Sequence, residues 1–288
     1  MKDFLENSIT RRKEPSLCMI CGERAQYYFG KTYTESPFDS FMEAIGPVSY
    51  YRCTDCGFVF SQTHLELDPH QWGRLNEQCH HFFEDPAAEK KGNQPPYLEQ
   101  AMLLAVLSQR GLVDLLSGLD YAAGYGTLSR LLDSYWKLRL PIFDFYVQDG
   151  DPTRYLKSDD LGNHGLVVNS AMFEHVLTRQ DLDSVNALVR SDGALMIHTV
   201  VCERVPPDPE WFYLRPPVHT AFHTNESMRR LMAQWGYAES IYCPKAKSWI
   251  LFKTADPTRA ATCQDLNREM QCEWLLHSTG FVDYWKGF

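Results

Sequence analysis

Residues 119–128 read Leu119-Asp120-Tyr121-Ala122-Ala123-Gly124-Tyr125-Gly126-Thr127-Leu128. This pattern predicts a strand that ends in an acidic residue and passes through a tight turn of small residues into a helix. Gly124 and Gly126 lack the Cβ atoms that would hold a ligand away from the backbone, and the N-terminus of the following helix offers N–H donors. A turn of this kind serves a dinucleotide, a methyl donor or chain reversal alone, so the surrounding segments must distinguish these roles.

Short apolar runs alternate with helical segments on both sides of the turn. Apolar residues recur at three- and four-residue spacing over 97–111 and predict a helix there. In chain order, the further apolar runs and predicted helices are 115–121, 128–136 (helix), 142–147, 165–168, 182–190 (helix) and 194–199. This alternation predicts an α/β fold with a mostly parallel sheet. Residues 239–243 and 248–254 flank a short turn and predict an antiparallel hairpin at one edge of the sheet.

Four cysteines near the start of the chain form two matched pairs, Cys18-Met19-Ile20-Cys21-Gly22 and Cys53-Thr54-Asp55-Cys56-Gly57. The Cys-x-x-Cys spacing lets two thiolates share one tetrahedral Zn²⁺, and the glycine after each pair suits the positive φ of a knuckle whose N–H groups face sulfur. We therefore predict a zinc ribbon over residues 1–62. With four thiolate ligands the site is closed to water and substrate, so its predicted role is structural.

Beyond the ribbon, the sequence divides into three further segments. Residues 63–96 are polar, rich in histidine and aromatic residues and interrupted by four prolines, which predicts a linker or lid of short helices and loops. The alternating segments occupy 97–256 and predict an α/β domain whose core is separate from the ribbon. A C-terminal helical extension is predicted over 257–288.

The composition is that of an ordinary globular protein, with 44% hydrophobic and 23% charged residues in a chain of 288. This length allows one mid-sized domain and a small appendage. No stretch is long and apolar enough to cross a bilayer, the first residues lack a signal-peptide core, and five further cysteines are scattered without framework spacing. We therefore expect a soluble, cytoplasmic protein without disulfides.

The charge balance bears on the kind of partner. The net charge is −9, and residues 1–60 contain seven Lys and Arg against eight Asp and Glu. A module that contacts nucleic acid usually carries a basic excess for the phosphate backbone. The balance therefore favours a small-molecule partner over a nucleic acid, and no membrane partner is expected. The sequence does not determine the oligomeric state.

Between residues 97 and 254 the chain resembles the class I S-adenosylmethionine-dependent methyltransferases, because the glycine turn and four further segments match that family in order and spacing. The resemblance implies a Rossmann-like sheet and a turn that wraps the methionine part of S-adenosylmethionine. The implied contacts in this turn are Asp120, Tyr121, Ala122, Gly124 and Gly126, with Ala122 in place of the family's first glycine. The resemblance also implies an acidic residue that binds the ribose hydroxyls after the second strand, for which Asp149 is the choice and Asp151 the alternative.

A second part of the resemblance lies in the segment Gly165–Val176, which matches the family's fourth strand and the Glu-His-Val motif that follows it. Glu174 and His175 belong to that motif. His164 and Asn169 stand near the position of an acidic residue in this strand of the family, and Asn169 is the implied cofactor contact. The connection before this strand is short, so the third strand and helix are expected to be abbreviated. Residues 188–199 parallel the family's next helix, glycine turn and fifth strand.

Residues 211–222 resemble the substrate-side loop of small-molecule methyltransferases, which makes His219 an active-site candidate. The aromatic residues of this loop either stack on a ring-bearing substrate or pack over the core. Histidine is the natural general base near neutral pH, so His219, His175 beside Glu174, and the pair His80-His81 are the candidates. Each also has a non-catalytic alternative. His175 is alternatively explained by a structural hydrogen bond to the backbone, and His80-His81 by a position on a solvent-exposed helix face.

A ribbon followed by such a domain resembles enzymes from polysaccharide and natural-product clusters, including sugar C-methyltransferases with an N-terminal zinc-binding domain. The implied function is methyl transfer from S-adenosylmethionine to a small-molecule acceptor, such as a nucleotide-linked sugar. Two alternatives stay open. One is an RNA methyltransferase with a zinc module, against which the acidic balance argues. The other is a non-catalytic methyltransferase-like binding protein, which Ala122 and the short third unit favour. The sequence does not determine the acceptor atom.

Overall fold

The computed structural model describes residues 16–84, 94–147 and 151–283. In chain order its strands are β1 (Ala25–Lys31), β2 (Val48–Cys53), β3 (Val59–Ser61), β4 (Gly118–Tyr121), β5 (Ile142–Phe143), β6 (His164–Ser170), β7 (Val189–His198), β8 (Val201–Cys202), β9 (Ala221–Thr224), β10 (Glu239–Cys243), β11 (Ser248–Phe252) and β12 (Leu276–Thr279). Its α-helices are α1 (Phe38–Met42), α2 (Gln62–Leu65), α3 (Pro69–Glu84), α4 (Tyr97–Gln109), α5 (Thr127–Trp136), α6 (Arg179–Ala187), α7 (Asn225–Gln234) and α8 (Arg259–Met270).

The larger sheet of the described residues has seven strands in the order β12-β10-β11-β7-β6-β4-β5. The strands β5, β4, β6 and β7 are parallel, and β11 and β10 follow as an antiparallel hairpin. Successive side chains of β6 point to opposite faces, as in any strand. Val167 packs with α6 and α7, whereas Leu166 and Val168 pack with α4, α5 and α8. The predicted Rossmann-like α/β sheet with its antiparallel hairpin is therefore confirmed.

Both ends of this sheet differ from a simple alternation of strands and helices. Next to β5, Tyr155 forms only an isolated parallel bridge with Ile142, so the third unit is abbreviated as expected from its short sequence. At the other end, β12 pairs with β10 and becomes the edge strand. The predicted helical extension over 257–288 is thus incomplete, because α8 is followed by a strand. That strand pairs the backbone groups that β10 would otherwise leave open.

The smaller sheet of the described residues joins the cysteine-rich segment to the rest of the chain. Its order is β1-β2-β3-β9-β8, and the contact across the predicted boundary is the antiparallel pairing of β3 with β9. Phe58 and Phe60 pack in one core with Phe173 and Leu231. The expectation of a separate core for the ribbon is therefore wrong. A segment this short buries little apolar surface alone, so its aromatic side chains pack against the larger domain.

In the described part of the predicted linker or lid there is one long helix, α3. Its buried residues Leu75 and Cys79 pack with Phe38 and with Val218 of the predicted substrate-side loop. This contact lays one face of α3 over that loop. Among the described helices, none combines the length and apolar character needed to cross a membrane.

Candidate functional site

The glycine turn lies at the carboxyl end of β4, where open α/β sheets place their ligands. Ala122, Gly124 and Gly126 have φ values of 60°, 53° and 70°, so the chain follows a left-handed path into α5. A Cβ atom on Gly126 would approach the Ile142 Cδ1 atom to 2.7 Å. Glycine at this position is thus required both by the backbone conformation and by the close packing of β5.

The glycine turn is hydrogen-bonded to Asp144, an acidic residue that the sequence did not indicate as a site residue. Asp144 follows β5 directly, and its carboxylate accepts hydrogen bonds of 2.8 Å from the N–H groups of Gly124, Tyr146 and Val147. Asp149, the predicted ribose contact, lies outside the described residues. The alternative, Asp151, is exposed and binds its own neighbour Thr153.

Asp144 is therefore the acidic residue that directly follows β5, and the ribose contact at Asp149 stays a prediction. The sequence-based register missed Asp144 because β5 contains two residues, whereas the apolar run that predicted this strand extends to residue 147.

Two buried polar groups point to a ligand beside this turn. Asp120 is 2% exposed, and burial raises its pKa to about 8, with the nearby Asp144 carboxylate adding to the effect. Its Oδ1 atom has no hydrogen-bond partner among the described residues, and neither does Oδ1 of the fully buried Asn169. The Asn169 amide donates to the Tyr121 carbonyl oxygen at 3.1 Å. Unpartnered buried polar atoms are costly, so both atoms fit a ligand that carries hydrogen-bonding groups, as S-adenosylmethionine does.

The predicted residues Glu174, His175 and His219 come together at the carboxyl end of β6. Their ligand atoms all lie within 4.8 Å of one another. The Glu174 carbonyl oxygen accepts hydrogen bonds from the N–H groups of Thr220 and Ala221 at 2.7 and 3.0 Å, which ties the turn after β6 to the start of β9. This backbone contact brings His219 next to a motif 44 residues earlier in the chain.

The electrostatics of this cluster favour neutral imidazoles and a readily protonated carboxyl group. Burial lowers the pKa of His219 to about 4. The pKa of His175 falls well below its ordinary value because of burial and the neighbouring His219 and His80. Burial also raises the pKa of Glu174 to about 7. Near neutral pH the two imidazoles are therefore uncharged.

The hydrogen bonds within the cluster leave several of its polar atoms available. The Nδ1–H group of His219 donates to the Tyr213 carbonyl oxygen at 2.7 Å, which leaves Nε2 as the nitrogen with a lone pair. Glu174 Oε2 and His175 Nδ1 have no hydrogen-bond partners among the described residues. Two imidazoles and a carboxylate are also a ligand set for divalent transition metals, so this cluster could bind such an ion as well as a proton.

The lid helix contributes a further histidine. The His80 ring lies nearly parallel to the rings of His175 and Tyr146, with centroids 6.3 Å away from each and interplanar angles of 21° and 26°. His81 is exposed. One member of the predicted pair thus belongs to the site, because a helix turns by about 100° between adjacent residues and only one of them can face inward.

The aromatic residues of the 211–222 loop have two kinds of surroundings. Trp211 and Phe222 are buried and pack against each other with ring centroids 5.5 Å apart. Tyr213 instead reaches the cluster, where its hydroxyl donates to Glu174 Oε1 at 2.7 Å. Trp211 and Phe222 therefore serve core packing. The hydrogen bond of Tyr213 was not predicted, because a run of aromatic residues does not show which group a tyrosine hydroxyl will contact.

The four cysteines lie together as predicted, and their geometry fits a zinc site. The Sγ atoms of Cys18 and Cys56 are 3.6 Å apart, and Cys21 lies 3.4 Å from Cys53 and 3.6 Å from Cys56. Tetrahedral zinc with bonds of about 2.3 Å places sulfur atoms about 3.8 Å apart. The glycine after each knuckle has positive φ, 78° at Gly22 and 72° in the second knuckle. The predicted knuckle conformation is confirmed.

Both knuckles are attached to the larger domain and approach the site. The Ile20 carbonyl oxygen accepts a hydrogen bond from Gln234 of α7 at 2.9 Å, and Asp55 pairs with Arg230 of the same helix. Between the knuckles, the Tyr50 hydroxyl donates to the His219 carbonyl oxygen at 3.3 Å. The cysteine segment therefore supports the backbone of a site residue directly.

No family model and no curated protein matches this sequence. Similar solved structures include the plantazolicin methyltransferase BpumL with S-adenosylhomocysteine and a monoazolic desmethylPZN analogue, at 12% identity and a TM-score of 0.42 over 75% of this chain and 97% of that one. An O-methyltransferase from a Brevibacillus brevis polyketide multienzyme, also with S-adenosylhomocysteine, has 13% identity and a TM-score of 0.37 over 59% and 65% of the two chains.

The magnesium protoporphyrin IX methyltransferase of Synechocystis with bound S-adenosylmethionine has 14% identity and a TM-score of 0.35 over 54% of this chain and 78% of that chain. Because these identities and TM-scores are low, the fold of this protein is defined by its own strand order and not by its similarity to these structures. Its parallel strands carry two sets of polar residues at one edge of the sheet, the glycine turn and the Glu174–His175–His219 cluster.

Proposed function

We propose that this protein is an S-adenosylmethionine-dependent methyltransferase that acts on a small-molecule acceptor. The observation that carries the proposal is the adjacency of the two sites. The glycine turn follows β4, the cluster follows β6, and these parallel strands are hydrogen-bonded neighbours. A cofactor in the turn and an acceptor at the cluster would thus lie side by side, as a direct group transfer requires.

In this proposal residues 120–126 hold the methionine part of the cofactor, and Asn169 supports it from β6. Asp144 takes the place at the end of β5 that the sequence suggested for Asp149. When bound, S-adenosylmethionine supplies an electrophilic methyl group. The chain itself positions the cofactor in this turn, where the unpartnered carboxyl oxygen of Asp120 is available for a hydrogen bond to it.

The cluster of Glu174, His175 and His219 after β6 is proposed to activate the acceptor. With the cofactor bound, its methyl group would pass to the acceptor atom, and His219 Nε2 would accept the proton that this atom loses. The imidazolium that forms is stabilised by the ionised carboxylate of Glu174 within the same cluster. His175 and the lid helix help to exclude water from this step.

A nucleotide-linked sugar is the proposed acceptor class, supported by the resemblance of the whole arrangement to sugar methyltransferases. We also propose that the four cysteines hold a structural zinc ion and that the protein works in a reducing compartment such as the cytoplasm, where thiols stay free of disulfides. The RNA alternative is less well supported, because the net charge is −9 and Arg230 beside the second knuckle is paired with Asp55.

Cofactor binding distinguishes the enzyme from a non-catalytic scaffold. Titration calorimetry of the zinc-loaded protein with S-adenosylhomocysteine should show binding, and Gly124→Arg should weaken it by about a hundredfold, a loss of about 2.8 kcal/mol. The reason is that a large side chain would occupy a turn that needs a positive φ. Gly162→Arg is the matched control, since Gly162 is exposed and has open space around its Cα. A parent protein without affinity for S-adenosylhomocysteine would contradict the proposal.

A further inference from the structure

The cluster of Glu174, His175 and His219 has the composition of a metal site. One ligand atom of each residue lies within 4.8 Å of those of the other two. Two imidazoles and one carboxylate form a ligand set that binds zinc and leaves one coordination position open. We propose that this cluster binds one divalent transition-metal ion of the zinc class, in addition to the ion proposed for the four cysteines. The inference goes beyond the proposed function, because the methyl transfer described above involves no metal ion.

The arrangement of the two imidazoles fits ligation of a single ion. The ring centroids of His175 and His219 are 4.9 Å apart, and the rings are nearly perpendicular, with an interplanar angle of 83°. Two imidazoles on a tetrahedral ion with bonds of about 2.1 Å have ring centres about 5 Å apart and ligand atoms about 3.4 Å apart. On binding an ion, the ligand atoms of the cluster would therefore move together by at most about 1.4 Å, which rotation of the side chains allows.

Unpartnered polar atoms in the cluster are a second, independent indication of a ligand. Glu174 is 2% exposed, and its Oε2 atom has no hydrogen-bond partner among the described residues. The buried Nδ1 atom of His175 likewise has no partner in the described part of the chain. A buried polar atom without a partner is costly and requires an explanation. Carboxylate oxygen and imidazole nitrogen are both metal ligands, so a bound ion provides one.

The surrounding hydrogen bonds orient two of the three side chains as in metal sites. The Nδ1–H group of His219 donates to the Tyr213 carbonyl oxygen at 2.7 Å, and the Tyr213 hydroxyl donates to Glu174 Oε1 at 2.7 Å. Histidine ligands of metals usually bond a carbonyl or carboxylate oxygen through their second nitrogen, and ligating carboxylates are themselves hydrogen-bonded. Tyr213 thus supports both side chains from outside, and Nε2 of His219 is the nitrogen that faces the ion.

The donor atoms distinguish this site from the four cysteines. Imidazole nitrogen suits Zn²⁺ and similar transition metals, whereas Mg²⁺ and Ca²⁺ prefer sites made of oxygen. A site with three protein ligands and an open position should also release its ion to a chelator more readily than a closed site of four thiolates. Dialysis against a chelator should therefore empty the cluster and leave zinc on the cysteines.

The ion has a consequence for the proposed methyl transfer. A metal ligand must carry a free lone pair, and binding of the metal displaces any proton from it. The lone pair of His219 Nε2 is the one that the proposed transfer uses to accept a proton. The ion and the proton therefore exclude each other at this atom, so an ion in the cluster would inhibit transfer that depends on His219.

The test titrates Co²⁺ into the full, zinc-loaded and dialysed chain, without cofactor or acceptor, and follows the visible absorption. The parent should bind one Co²⁺ per chain, with ligand-field bands and no thiolate-to-cobalt charge-transfer band. Tyr213→Phe should weaken binding by about 10- to 100-fold, the usual effect of losing a hydrogen bond to a metal ligand. His219→Asn and Glu174→Gln remove ligands themselves and should weaken it by at least about a hundredfold.

His198→Asn is the matched control for these variants. Its Nδ1 atom also lies 2.7 Å from a backbone carbonyl oxygen, that of Lys247, and it stands outside the cluster. This variant should bind Co²⁺ like the parent. If the ligand variants fold poorly, X-ray absorption of the Co²⁺-loaded parent should show imidazole scattering and no sulfur neighbours.

Three outcomes would overturn the inference. They are a parent in which Co²⁺ gives no ligand-field bands or only thiolate bands, folded ligand variants that bind Co²⁺ as tightly as the parent, and a cobalt spectrum without imidazole scattering. Because neither S-adenosylhomocysteine nor an acceptor is present, such a failure is distinguishable from a failure of the proposed function, which cofactor titration tests.

Discussion

Replacing Cys53 with serine should remove the bound zinc and lower the melting temperature by at least about 10 °C. Structural zinc contributes its binding free energy to folding, and a loss of a few kcal/mol in a domain of this size corresponds to such a shift. The effect should extend beyond the knuckles, because β2 ends at Cys53, β3 pairs with β9, and Tyr50 bonds the backbone of His219. Metal analysis and thermal unfolding by circular dichroism measure both effects.

The matched control for this variant is Cys263→Ser. Cys263 is also buried, but it lies on α8 among apolar side chains and outside the four-cysteine cluster. It should retain one zinc ion per chain and melt within a few degrees of the parent. If Cys53→Ser melted like the parent while lacking zinc, the knuckles would not support the fold, and the shared core alone would hold the two sheets together.

Replacing His219 with asparagine should lower the rate of methyl transfer by about 10²- to 10⁴-fold, the usual contribution of a general base. Asparagine can still donate to the Tyr213 carbonyl oxygen in place of Nδ1–H, so the loop should keep its conformation. The proton-accepting Nε2 atom is lost. The assay measures radiolabelled methyl transfer from S-adenosylmethionine to an acceptor found in a panel of nucleotide-linked sugars.

His198→Asn controls for the loss of a histidine with the same kind of hydrogen bond. Its Nδ1 atom lies 2.7 Å from the carbonyl oxygen of Lys247, and it stands outside the Glu174 cluster. This variant should keep its rate within a few-fold of the parent, and both variants should bind S-adenosylhomocysteine normally. A His219→Asn protein that transfers methyl at the parent rate would reject His219 as the base and direct attention to His175.

Features that depend on neighbouring residues were predictable from the sequence. The two Cys-x-x-Cys-Gly pairs, the glycine turn and the hairpin of β10 and β11 are patterns of fewer than about twenty residues, and local geometry dictates each of them. The order of strands and helices followed from hydrophobic periodicity in the same way. His219 and the Glu174-His175 pair were found by resemblance to a family, and the structure brings all three together.

Features that depend on distant pairings were not predictable in the same way. Asp144 was missed because the end of β5 is set by its pairing with β4 rather than by the apolar run that contains it. The separate core was a wrong expectation because nothing in the sequence of β3 reveals that it pairs with β9. The edge position of β12 has the same origin, since its four residues carry little pattern of their own.

By itself, the sequence determined the chemical groups of this protein: four thiols with zinc spacing, a turn without side chains that would block a ligand, and a carboxyl group next to a histidine. Only the tertiary structure decided how these groups cooperate. Burial raised the pKa of Glu174 to about 7, the 211–222 loop brought the Tyr213 hydroxyl within hydrogen-bond distance of it, and the cysteine segment became a support for the site. Desolvation and hydrogen-bond direction arise from residues far apart in the chain, so no local pattern encodes them.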